Sequence, residues 1–279
     1  MSRIASLAGR AAASFGFAVL WIGVAAADDL EPLTFEDGLT GQNIYERVLD
    51  NRFRSFTQVS RLISEDRRGR KQESRFRMKW QDVRNGDGAP DDGVLTRTMV
   101  RYTHPFDLRH SGYLILVNEG RSPDQFVYYP SRRRIVRVSL RSEAIYGTDF
   151  SFEDVVPREA GDFRYRRLRN DEFRGVDVYV VELFPEEIAS SEYSRIRVFI
   201  DRQRAVVLRA RYWDEAGVEV KEFRAPPELV RQYEGIFVPT RAVMKHLLND
   251  SATTLVVDEL EANPPFDDET FNLRRLEGR

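Results

Sequence analysis

Two periods of apolar residues run through this chain, and they separate one helix from many strands. Within residues 40–53, Ile44, Tyr45, Val48, Leu49 and Phe53 recur three and four apart. That spacing predicts an amphipathic helix with a single apolar stripe. Thr40 is placed to cap it, because a Thr hydroxyl accepts from the free N–H groups of a first turn. Glu46, Arg47, Asp50 and Arg52 fill the polar face. From Phe56 onward the period becomes two. Residues 56–65 and 73–83 predict a hairpin turning at 66–70. In its second strand Phe76, Met78 and Trp80 share one face, while Arg75, Arg77 and Lys79 share the other. One side of that strand is therefore apolar and the other faces water.

The stretch 111–156 organises the remainder. Residues 113–117, 125–130 and 135–140 are short, rich in β-branched and aromatic residues, and bounded by Gly, Asp, Ser and Pro. They predict sequential strands of a meander. Both phases of 113–117 are apolar, which predicts cover on both faces. Segment 147–154, Gly-Thr-Asp-Phe-Ser-Phe-Glu-Asp, changes character. Ser151 ahead of Glu153 and Asp154 predicts a short capped helical turn crossing the sheet's open face. Further strands are predicted at 95–103, 163–169, 176–184, 195–200, 205–213 and 218–223. A last hairpin, 235–247 with 253–260, turns at 248–251. Residues 228–233 are predicted as a brief helical insertion. The acidic start of 267–273 suits a helix N-terminus.

About a dozen strands at this turn spacing, with one substantial helix, point to a sandwich or barrel. No linker composition and no repeat of 20–50 residues interrupts the series. Residues 28–279 are expected to form a single β domain.

Residues 1–27 read as a secretory signal. Arg3 and Arg10 precede an apolar run centred on Phe15, Phe17, Val19, Leu20, Trp21 and Ile22, and Ala25, Ala26 and Ala27 offer small residues for cleavage. The alternative is an uncleaved anchor, for which this run is short. Cleavage would export the protein to the periplasm and move its net charge from −2 to −4, since two arginines leave. The net charge argues against a nucleic-acid partner. The chain has no Cys, which excludes thiol chemistry and suits an oxidising compartment. Only Lys71, Lys79, Lys221 and Lys245 are lysines; the other basic residues are Arg. Arginine suits carboxylate and phosphate contacts, and base composition explains the bias equally.

Candidate chemistry is sparse. His104, His110 and His246 lack the close spacing of a zinc site. No nucleophile elbow, phosphate loop or dinucleotide fingerprint occurs. Asp149 and Glu153 can be posed as an acid pair, or as a turn and a cap. Arg132, Arg133 and Arg134 can meet a phosphate or an acidic partner, or form a solvated tip. No cofactor, metal or catalytic residue is expected. What remains is apolar surface, and a sheet of this size under one helix can enclose a cleft.

The chain resembles the periplasmic outer-membrane lipoprotein-sorting proteins, the LolA-like group, in a divergent branch. The resemblance rests on the signal, the early helix 40–53 with its hairpin, the strand at 125–130, the basic strand at 133–138 and segment 147–154. It continues through the strands at 179–183 and 197–201 to the hairpin ending near Trp213. It implies a mainly β fold, an unclosed antiparallel barrel of eleven to thirteen strands with helices over the open concave side. It implies a non-enzymatic carrier that shields lipid or lipoprotein acyl chains, with an inner-membrane transporter or outer-membrane acceptor as further partners. The residues proposed to line such a cavity are Ile44, Val48, Phe76, Met78, Trp80, Phe126, Tyr128, Phe150 and Phe152. The alternative function is a non-carrying interaction or sensor module on the same fold, docking to an envelope transporter or signalling protein.

Overall fold

The computed structural model describes residues 35–86, 88–139, 143–156, 158–186 and 191–278, which fall in the compact unit Leu33–Arg279. The proposed signal, 1–27, lies outside the described residues.

Helix α1, Gly41–Asp50, starts where the sequence predicts. The Asn43 N–H donates to Thr40 Oγ1 at 3.1 Å, satisfying one of the first-turn donors that the helix cannot pair internally. Its apolar stripe packs on two strands met later in the chain. Ile44 is fully buried there and Tyr45 nearly so. Burial of an Ile side chain contributes about 1.5–3 kcal/mol.

The strands follow as β1 Ser55–Glu65, β2 Lys71–Asp82, β3 Val94–His104, β4 Gly112–Asn118, β5 Arg121–Tyr129 and β6 Arg134–Val138. A four-residue helix, α2 Phe152–Val155, comes next. The second half comprises β7 Phe163–Phe173, β8 Val176–Pro185, β9 Tyr193–Asp201, β10 Val207–Asp214, β11 Glu219–Arg224, β12 Val230–Tyr233, β13 Ile236–Pro239, β14 Arg241–His246 and β15 Ser251–Ala262. The chain ends in helix α3, Leu273–Glu277.

Thirteen strands make one antiparallel sheet in the order β6-β5-β4-β3-β2-β1-β15-β14-β11-β10-β9-β8-β7. The ends, β6 and β7, do not pair, so the barrel is open, as expected for the resembled fold. β1 pairs with β15 and joins the two halves. β12 and β13 form a separate two-stranded ribbon. This corrects the reading of 228–233 as helical: only Pro227–Leu229 turns, as a 3-10 segment, and Val230–Tyr233 is extended. Residues 235–247 likewise divide between β13 in the ribbon and β14 in the sheet.

Alternation assigns the faces. On β8, Tyr179, Val181 and Leu183 face α1, whereas Val178 and Val180 pack on the other side with Phe199 and Val230. On β3–β5 the inner phase includes Tyr102, Tyr113, Ile115 and Val127. The outer phase includes Met99 and Leu114, covered by Phe271 and Leu276 from the C-terminal segment. The expectation that 113–117 is covered on both faces therefore holds. Beside the outer cluster of Val178 and Val180, β7–β9 carry an ion-pair ladder. Arg166, Glu182 and Arg197 lie directly across three neighbouring strands, and both arginines donate to the Glu182 carboxylate. Many of the arginines thus meet carboxylates of the same chain.

Candidate functional site

The inner face of β1–β4 is not filled by its own side chains. A cavity of about 440 Å³ lies between that face and the helices. From β2 it receives Phe76, Met78 and Trp80, the apolar phase of the cleanest alternation in the chain. From β3 come Thr96, Thr98, Val100 and Tyr102, which lie across from that strand in register: Thr98 opposite Trp80, Val100 opposite Met78, Tyr102 opposite Phe76. Val48 and Leu49 of α1, half-buried, close one side. Phe150 and Phe152 close another. Ile236 and Val238 of the ribbon complete the wall. Exposed Arg52 and Val155 both line it and mark its mouth. The volume is within the ~300–1,000 Å³ usual for small-molecule sites, and the lining is mainly apolar, as such sites are.

Two devices hold the cover in place. The first is at the end of α1. Asn51 Nδ2 donates to the Phe237 carbonyl at 2.8 Å, and the Phe237 N–H donates back to Asn51 Oδ1 at 2.9 Å. The amide side chain thereby imitates a strand partner and ties the helix to β13.

The second is the crossing segment 147–154. Two of its carboxylates, Asp149 and Asp154, reach the sheet, and a third, Glu153, reaches the connections beside it. Asp149 accepts from Thr253 Oγ1 at 2.7 Å and from Ser251 Oγ at 2.5 Å, both on β15. Glu153 accepts from the Glu192 N–H at 3.0 Å and from Arg158 at 2.6 Å. Asp154 accepts from the Ser151 N–H and from Tyr193 Oη, each at 2.8 Å, and pairs with Lys221 Nζ of β11 at 2.8 Å. These groups are buried. Removing one partner would leave the other desolvated and unpaired, which is costly. Asp149 and Glu153 are therefore anchors of a turn and a cap rather than an acid pair. With the segment pinned, Phe152 packs edge-on against Tyr113, ring centroids 4.8 Å apart.

Burial raises the phenol pKa of Tyr102 and Tyr113. It also raises that of Tyr193, to which neighbouring Asp154 adds. All three stay neutral at physiological pH. Among the described residues no cluster of His, Asp or Glu could hold a metal ion.

Of the residues proposed from the sequence, Val48, Phe76, Met78, Trp80, Phe150 and Phe152 are brought together around the cavity. Ile44 is not; it faces β7 and β8, where Val181 and Leu183 bury it. Phe126 and Tyr128 are not either. They occupy the outer phase of β5, beneath the C-terminal segment, and Val127 between them takes the inner position. Thr96 and Thr98 also belong to the wall, although polar residues on a strand do not signal an apolar lining. The Thr96 hydroxyl is buried with no hydrogen-bond partner among the described residues.

A family model described as "Uncharacterized protein" matches residues 95–278, from β3 to α3. No curated protein matches the chain. Among solved structures, an outer membrane lipoprotein-sorting protein domain from Vibrio parahaemolyticus is 20% identical, covers 85% of this chain and 98% of its own, and superposes with a TM-score of 0.76. A DUF1329 family protein from Desulfovibrio piger is 19% identical, covers 85% and 97%, and has a TM-score of 0.78. A LolA superfamily protein from Nitrosomonas europaea is 20% identical, covers 85% and 99%, and has a TM-score of 0.65. The chain belongs to the family whose model spans residues 95–278, and its fold is the one seen in the lipoprotein-sorting domain and in the LolA superfamily protein.

Proposed function

We propose that this protein is a periplasmic carrier that shields the acyl chains of a lipid or lipoprotein in the cavity over β1–β4, after cleavage of residues 1–27 leaves a single domain, 28–279. The observation that carries this reading is the cavity of about 440 Å³ walled by Phe76, Met78, Trp80, Val100, Phe150 and Phe152. Each methylene moved from water into such a wall contributes about 0.8 kcal/mol, so a long chain is held without a polar anchor. Met78 adapts its shape to chains of different length. Binding, not covalent chemistry, is the activity.

The fold supports this reading, since proteins described as lipoprotein-sorting share it. An inner-membrane transporter or outer-membrane acceptor would supply and receive the cargo. The test is mass spectrometry of lipid extracted from protein purified without detergent. An acyl lipid in near-stoichiometric amount is the expected result. Protein that carries none, and that fails to bind a fluorescent fatty acid, would refute the carrier reading.

A further inference from the structure

Five connections gather at one end of the sheet. The registers fix this. Glu65 pairs with Lys71, Arg75 with His104, Tyr129 with Arg134, His246 with Ser251, and Trp213 with Glu219. The turns 66–70, 105–111, 130–133, 247–250 and 215–218 therefore form one rim. Neighbouring strands are about 4.8 Å apart, so successive hairpin tips stand roughly 10 Å apart.

The rim carries two kinds of tip, basic and apolar. Following the sheet from β6, the first tip carries Arg132, Arg133 and Arg134, all exposed. The second carries Phe106, 87% exposed, with Arg109. The third carries Arg67 and Arg68. The fourth carries Leu248, 63% exposed, and the fifth Val218. These three apolar side chains are among the most exposed large hydrophobics in the described residues. Arg67, Arg68, Arg109, Arg132, Arg133 and Arg134 form no ion pair among the described residues, whereas Arg70, Lys71 and Lys245 are paired locally. Asp66 and Asp250 are taken up by Arg70 and Lys245, which leaves Asp107 and Glu215 in the turns, with Asp214 at the end of β10, against those six arginines. The surplus is local, because the whole chain is net −2.

We propose that this rim docks the protein on an anionic lipid bilayer. Single exposed apolar residues are ordinary on a surface. Apolar tips set between unpaired arginines along one edge are not. A protein partner needs roughly 800 Å² of contiguous surface on each side. Here the apolar side chains are single and divided by arginines, and a bilayer interface accepts each of them independently. Its diffuse negative potential attracts each nearby arginine without a fixed geometry. The rim is separate from the cavity wall, so docking does not depend on the carrier reading.

The test is flotation of the protein, purified from cells expressing the full chain, with vesicles of phosphatidylcholine alone or mixed with phosphatidylglycerol. Binding to the anionic vesicles is expected, weakening as salt rises. Arg67→Glu with Arg132→Glu should lower it by roughly fivefold or more for each arginine changed. Phe106→Ser with Leu248→Ser should lower it further. All four positions are exposed, so the melting temperature should not move. Met78→Leu, in the cavity wall, should leave docking intact. Equal binding to both vesicle types would overturn the proposal, as would parent-like binding by the fourfold variant or loss of docking in folded Met78→Leu protein. Salt-sensitive binding to polyglutamate with none to vesicles would overturn it in favour of an acidic protein partner.

Discussion

Lys221 Nζ lies 2.8 Å from Asp154 Oδ2, joining β11 to the short helix α2 across the inside of the open barrel. The Asp154 side chain is fully buried and that of Lys221 is 12% exposed. The pair holds the crossing segment over the strands that line the cavity. Lys221→Met would leave a desolvated carboxylate without its cation. Such a loss costs about 3–5 kcal/mol. The expected result is a lower denaturation midpoint in urea, with most of the loss recovered in the double variant Asp154→Asn, Lys221→Met. Additive losses in the double variant would show that the two residues act separately.

Acid should unfold this protein early, and Glu182 supplies a specific reason. Burial alone would raise its carboxyl, but hydrogen bonds from Arg197 and Arg166 together outweigh burial and hold it below the ordinary glutamate range. A carboxyl lowered in the folded state contributes stability that is present above its unfolded value of about 4.3 and lost as pH falls through the folded value. Asp37 behaves alike, drawn down to about 2 chiefly by its hydrogen bond from Arg167. Stability measured by urea titration should therefore fall from about pH 4 downward. Glu182→Gln should be less stable at neutral pH and show a shallower acid limb. An unchanged limb would mean that this carboxylate does not govern acid unfolding.

Gly112 opens β4 where no side chain fits. A Cβ built there would stand 2.4 Å from the Val100 carbonyl oxygen of β3 and 3.3 Å from Leu276 of α3. The first neighbour is backbone and cannot turn aside. Gly112→Ala should displace the β3–β4 pairing near Arg101, at an overpacking cost of about 1–3 kcal/mol. A thermal melt of the variant checks this. The Arg101 guanidinium donates to carbonyls at the end of α3. Hydrogen exchange should therefore rise in the C-terminal segment before it rises in β8.

The architecture is legible in the sequence where one phase of an element is polar. Phe76, Met78 and Trp80 alternate with Arg75, Arg77 and Lys79, so the alternation alone assigns them a shared face. β5 offers no such contrast. Gln125 and Val127 face inward, while Phe126 and Tyr128 face the C-terminal segment, and both phases look buriable. What decides between them is a helix more than 140 residues downstream, invisible to a local pattern. β12 escapes a local pattern for a related reason. Pro226, Pro227 and Glu228 resemble the start of a helix, and the strand exists only because Ile236–Pro239 returns to pair with it. Ile44 belongs to the apolar stripe of α1, but a helix's stripe does not reveal which part meets sheet and which meets cavity. Val48 and Leu49, one turn further on, meet the cavity.

Met78 gives the most direct test of the cavity. It lies mid-strand on β2 between Phe76 and Trp80, opposite Val100 on β3 and Gln58 on β1. Phe76 and Trp80 are buried, whereas Met78 is only half-buried and borders the cavity. If that space takes an acyl chain, Met78→Glu places a carboxylate at the wall of a cavity that opens near Arg52 and Val155. Water can reach such a group, so the melting temperature should change little. The acyl chain would then meet a charge it cannot pair with, and binding of a fluorescent fatty acid should fall by roughly tenfold or more. If Met78 is instead ordinary core, the same change buries an unpaired charge and destabilises the fold by several kcal/mol. The two cases move different observables, so a melt and a binding titration on one sample separate them. Met78→Leu, close in volume and still apolar, should preserve both stability and binding. A folded Met78→Glu protein that binds fatty acid like the parent would remove this strand from the site.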